Sequence, residues 1–119
     1  MVAAMSAVDP DLARIAELCE GEVSYRSDGW RQLILMKGLR FLAAGIAQKM
    51  DALLCLNHNN PTYPTKLYLE KKLSSGLNWN EDAQILTRNW FSYSWKDVPS
   101  SMSPFDILTA HLAALNPAQ

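Results

Sequence analysis

Two histidines, two cysteines and twelve carboxylates carry most of the reactive chemistry available to this 119-residue chain. Zinc accepts imidazole, thiolate and carboxylate together, so His58 and His111 with Cys19 or Cys55 and Glu20 or Glu22 compose a conceivable Cys/Glu/His/His set. No pair of these residues has the close spacing of a zinc finger. His58 falls in a polar loop, whereas His111 lies on or beside an apolar helical stripe. A metal-binding protein or metal-dependent enzyme is therefore kept as an alternative, and no metal or other cofactor is expected.

Nucleophilic catalysis by a thiol needs exposure and a lowered pKa. Cys55 stands between Leu54 and Leu56 in an apolar run, and Cys19 is near the end of a helical pattern, where the dipole disfavours a thiolate. Both are expected to be reduced, buried, small hydrophobes. There is no Ser/His/Asp order, phosphate-binding glycine loop or metalloprotease motif, and Glu81-Asp82 is read as acidic residues at a helix start.

Aromatic residues suggest binding rather than catalysis. The run NWFSYSW, residues 89–95, and Trp79 interleave with Arg88 and Lys96 in a way that could stack bases. A formal net charge of −1 leaves little to neutralise phosphates, so nucleic acid is not expected as a partner. Aromatic side chains on a surface suit a protein interface. The expected partner surface combines the loop residues Asn57, His58, Asn59 and Tyr63 with Trp90, Tyr93 and Trp95.

Positioning these groups requires a defined scaffold. Asp9-Pro10 provides a helix cap and a first-turn proline, and Leu12, Ile15, Ala16 and Cys19 recur at helical spacing up to Gly21. The first helix is read over 10–20, with 1–8 as a flexible tail or its extension. Val23 and Tyr25 alternate with polar neighbours, Ser27-Asp28-Gly29 signals a hairpin turn, and the second strand continues through a bulge at Gly38 to Phe41.

A third strand is expected over 50–57 and a fourth over 66–71. Between them Pro61 and Pro64 restrict their own φ and push Asn60 and Tyr63 away from helical conformation, giving a loop of defined shape. Ser74-Ser75-Gly76 reads as a loop. Asn80-Glu81-Asp82 is read as the cap of a short helix through Leu86, and 89–95 as either strand or irregular aromatic segment. Ser103-Pro104, Asp106 and the stripe Ile107, Leu108, His111, Leu112 and Leu115 predict a final helix ending at Asn116-Pro117. The expected fold class is α+β: an N-terminal helix, a four-stranded antiparallel meander and a C-terminal helix.

At 119 residues and 49% hydrophobic composition, a single globular domain over 1–119 is expected. No apolar run approaches the roughly 20 residues that span a bilayer. The N-terminal residues lack a basic n-region and a long apolar core, so a cytoplasmic location without a membrane partner is expected.

The element order, together with Asp51, the apolar run after it and Tyr63-Pro64 before the fourth strand, resembles the ubiquitin-conjugating enzyme superfamily, with its noncatalytic variant and RWD branches. The resemblance runs from Pro10 to Lys72. Trp90, Ser94, Trp95 and Leu108 to Leu115 are similar to the tail of divergent bacterial relatives. It implies an enzyme-like fold, but the family's nucleophilic cysteine lies downstream of Tyr-Pro after a His-Pro-Asn triplet. Here no cysteine follows Cys55, and His58-Asn59-Asn60-Pro61 has the residue types in another order and upstream. The second proline expected beyond Tyr63-Pro64 is replaced by Lys66, Leu67 and Tyr68.

What the resemblance then implies is a noncatalytic binding or adaptor protein in a bacterial ubiquitin-like conjugation or defence system. Its partner would be a ubiquitin-like protein or an activating enzyme. A structural homo-oligomer is a further alternative.

Overall fold

In the computed structural model, residues 9–58, 60–73, 77–79 and 81–116 are described. The tail 1–8, Asn59, the loop at Ser74-Ser75-Gly76, the capping Asn80 and the stop at Pro117 lie outside them. The elements are helix α1 (Pro10–Ala16), strands β1 (Val23–Asp28), β2 (Arg31–Ala43), β3 (Ile46–Cys55), β4 (Lys66–Leu69), β5 (Glu81–Ile85) and β6 (Arg88–Ser92), and helix α2 (Pro104–Leu115). All six strands join one antiparallel sheet in the order β1-β2-β3-β4-β6-β5.

This corrects the expected four-stranded meander flanked by helices: the chain is mostly a six-stranded sheet with two short helices. The meander is present as β1 to β4, but 81–86 is not a helix. Glu81, Ala83 and Ile85 turn to one face of β5, and Leu86-Thr87 makes a two-residue turn with φ of 53° and 63° into β6. The acidic residues resembled a helix start, yet the period-2 alternation and sheet pairing prevail.

The bulge corrects a phase problem in β2. Pairing steps from Met36 opposite Ala52 to Leu39 opposite Met50, so one extra residue lies in β2 and both Met36 and Leu39 face the same core. Gly38 adopts φ 66° there, and its N–H donates to Asp51 Oδ1 at 2.9 Å. The bulged backbone also pairs with the segment leaving α1, through Glu20 N to Gly38 O at 3.0 Å and Gly21 N to Lys37 O at 2.9 Å. That pairing explains why α1 ends at Ala16 rather than Glu20. β2 and β3 run longer than expected and meet at Ala44-Gly45, whose φ values of 51° and 77° form a tight hairpin turn.

The two faces differ. The helices cover one: Ile15, Ile107, Leu108 and Leu115 pack on Ile34, Met36, Leu54, Leu67 and Leu69. The Asp9 carboxylate caps α1 through Leu12 N at 3.0 Å, and Ser103 caps α2 through Asp106 N at 3.3 Å. The other face buries Leu33, Leu35, Leu53, Cys55, Tyr68, Ile85 and Trp90, and among the described residues no helix packs on this cluster. The sheet curls around this second cluster: Leu86 N in the β5–β6 turn donates to Asp28 Oδ2 at 2.8 Å, bringing the two edge strands together. Among the described residues no helix is long and apolar enough to cross a membrane.

Candidate functional site

The loop between β3 and β4 is built largely by its own polar residues. Asn60 Oδ1 accepts from Thr62 N at 2.8 Å and Tyr63 N at 3.2 Å, closing an Asx turn ahead of Pro64. Asn57 fastens the loop to the β1–β2 turn: its Oδ1 accepts from Gln32 N and its Nδ2 donates to Trp30 O, both at 2.8 Å. His58 Nδ1 donates to Tyr63 O at 2.9 Å, which assigns the proton of a neutral ring to Nδ1. On the far side, Asp97 N donates to Thr62 O at 3.1 Å, so the segment after β6 is tied to the same loop.

These ties gather an aromatic surface. Trp30 is 49% exposed with its ring 6.0 Å from the His58 ring, and Trp95 is 40% exposed two residues before the Asp97 contact. Tyr63 is half-buried beside Lys66, whose Nζ lies 5.4 Å from its ring centre. Of the expected surface residues, Asn57, His58 and Tyr63 lie in this loop, Trp95 stands two residues before the segment tied to it at Asp97, and Asn59 lies outside the described residues.

Trp90 and Tyr93 correct that expectation, because both are core. Trp90 fills the second cluster with its indole N–H donating to Ile85 O at 2.9 Å, and Tyr93 donates to His111 O at 2.7 Å. Trp90 within β6 faces one core, and Tyr93, one residue beyond the strand, enters the other.

Beneath the loop sits a charged group that joins His58 to Glu81, the acid expected at a helix start. Glu81 accepts from Tyr68 Oη at 2.8 Å and pairs with Lys66 Nζ at 3.2 Å, while His58 Nε2 is 3.8 Å away. Burial alone raises the Glu81 carboxyl, but the Tyr68 hydroxyl, the Lys66 ammonium and His58 together hold it below its ordinary value. Burial first, then the Glu81 carboxylate, pushes Tyr68 far above the usual phenol range. Lys66 is only 5% exposed and also reaches Tyr93 O at 3.4 Å. The signal was legible in KLYL: a lysine inside a buried strand shares a face with Tyr68, two residues on.

Neither thiol is poised for attack. Burial pushes Cys19 up to about 11 despite nearby Arg40, and burial also raises Cys55. Both are free and buried. The histidines do not converge. His111 Nε2 lies 2.9 Å from Thr65 Oγ1, whose hydroxyl also lies 2.9 Å from Val98 O. With the hydroxyl proton given to Val98, His111 donates through Nε2 and its buried Nδ1 keeps an unpartnered lone pair. His58 instead addresses Tyr63 and Glu81. Among the described residues no three His, Cys, Asp or Glu side chains gather as a metal site, so the alternative built on His58 and His111 lacks a ligand set. Compared with protein-family models, curated proteins and solved structures, the chain matches none of them.

Proposed function

We propose that this chain is a noncatalytic protein-binding adaptor whose partner surface is the 57–63 loop flanked by Trp30 and Trp95. The observation that carries the reading is a loop fixed by side-chain hydrogen bonds, with half-exposed Trp30 docked on it and half-exposed Trp95 two residues before the Asp97 tie to it. Rigid aromatic anchors in a pre-organised setting are the usual bearers of interface energy. The buried thiols with raised pKa values argue against thioester chemistry.

A place in a bacterial ubiquitin-like conjugation or defence system rests on the Tyr63-Pro64 resemblance alone, without the expected four-stranded architecture. Its test is titration of the purified chain with the ubiquitin-like and activating proteins encoded beside it. Binding that weakens by about thirtyfold or more in Trp30→Ala and Trp95→Ala is the expected result. No binding to either protein removes the pathway, and binding indifferent to both substitutions removes the surface. Light scattering over a range of concentrations addresses the homo-oligomer: a monomer throughout leaves the tryptophans to a different chain.

A further inference from the structure

Three cations border the second core cluster, and two of them have carboxylate partners. Lys66 holds Glu81 at 3.2 Å and Arg88 holds Asp51 at 3.0 Å. Arg31 has none among the described residues. Its register partner on β1 is Asp28, but Asp28 Oδ2 is engaged by Leu86 N at 2.8 Å. A partly buried guanidinium without a counter-charge is costly, and native proteins ordinarily supply one.

Arg31 is nonetheless held in place. Asn57 clamps the backbone on both sides of it, at Trp30 O and Gln32 N, each 2.8 Å away. The guanidinium carbon lies 4.7 Å from the centre of the Trp30 ring, the stacked arrangement that leaves an arginine's planar edge free to take hydrogen bonds. Among the described residues its buried Nε has no hydrogen-bond partner, so the donors of this guanidinium are not all met within the chain.

We infer that Arg31, stacked on Trp30, is a subsite for a carboxylate of the partner protein. This deepens the adaptor reading and rests on it. A guanidinium pairs with carboxylate through two parallel N–H···O bonds, and Trp30 provides the apolar floor beside it. A chain terminus and an acidic side chain present the same chemistry.

The test is a titration of the isotope-labelled full chain, followed at the Arg31 Nε–H and Trp30 indole N–H resonances. The probes are N-acetylalanine, which presents a terminal carboxylate, N-acetylaspartic acid methylamide, which presents a side-chain carboxylate, and inorganic phosphate. Saturable shifts at both resonances, with a dissociation constant on the order of millimolar for at least one carboxylate probe, are expected. The tighter carboxylate identifies the source. Arg31→Gln should weaken binding at least tenfold, with the remaining amide spectrum unchanged.

An absent or non-saturating shift, a shift that survives Arg31→Gln, or phosphate binding more tightly than either carboxylate overturns the inference. If Arg31→Gln does not fold, the wild-type titration decides alone, through whether the shifts centre on residues 30 and 31. Partner binding lost in Trp95→Ala while the carboxylate probes give no shift would sink the subsite and leave the adaptor surface standing.

Discussion

His111 is the side chain whose protonation should be visible in stability. Burial, assisted by the Lys66 charge, lowers its pKa from 6.5 to about 4, and its ring joins α2 to Thr65 and the Val98 backbone. The unfolded chain therefore binds a proton in a window where the folded one does not, so stability is full above about 6.5 and falls as the pH drops towards 4. Linkage puts the loss at about 2 kcal/mol between pH 7 and pH 5. Glu81 and Asp51, held below their ordinary values, work lower: their contribution is present above the unfolded carboxylate range and disappears only as pH falls through their depressed folded values. Urea midpoints for wild type and His111→Leu at pH 7 and pH 5 should differ in slope, the variant being nearly flat. A variant as steep as wild type would place the acid sensitivity elsewhere. His111 was legible from the sequence as a member of the helical stripe. Its partner Thr65 was not, because it lies 46 positions away in the chain with no local pattern to join them.

At the scale of elements, the β1 to β4 meander and both helix caps could be read because each rests on local chemistry: Asp9-Pro10, Ser103-Pro104, the Asp28-Gly29 turn and the Gly38 bulge. The β5–β6 hairpin could not, because its turn lacks the expected residues. Leu86 and Thr87 occupy φ of 53° and 63°, positions that ordinarily favour Asn or Gly. Thr87 is exposed, so Thr87→Gly should relieve the left-handed strain without loss of packing and raise stability by about 1 kcal/mol, measured by urea unfolding. No gain would mean that the Thr87 hydroxyl bond to Leu86 O offsets the strain. Gly38 is the converse case. An added methyl at φ 66° would sit 3.3 Å from Glu20 Cβ, so Gly38→Ala should cost about 1–2 kcal/mol. The loss should be accompanied by faster amide exchange at Glu20 and Gly21, which donate to the bulge. The aromatic surface was half legible for the same reason. Asn57 and Tyr63 stand out through Asn and Pro chemistry, whereas Trp30 joins them through tertiary contacts, among them a hydrogen bond across 27 residues that docks its turn on the loop.

Across the whole molecule, one sheet serves two cores, and among the described residues only one of them has helices over it. The second is buried because the sheet curls, and the curl is secured where its edge strands approach: the Asp28 carboxylate on β1 accepts the Leu86 N–H beyond β5. A backbone N–H bonded to a carboxylate contributes more than a neutral pair, about 1.5–3 kcal/mol. Asp28→Ala should therefore lower global stability by about that amount. Its distribution is more telling than its size. β2 and β3 lie inside the sheet and pack on the helices, whereas β5 is an edge strand whose backbone pairs with β6 and which closes the second core from the edge. Losing the Asp28 tie should open the β5–β6 hairpin as a local unit, with amide exchange at Leu86 and along Glu81–Ser92 accelerating well beyond that of Leu53 or Ile34. Uniform acceleration would mean that the two cores open together and that the curl is fixed by side-chain packing around Trp90. Local opening would also release Glu81 from Lys66 and Tyr68, directly beneath the 57–63 loop, so the partner binding proposed for that loop and hairpin closure should weaken in the same variant.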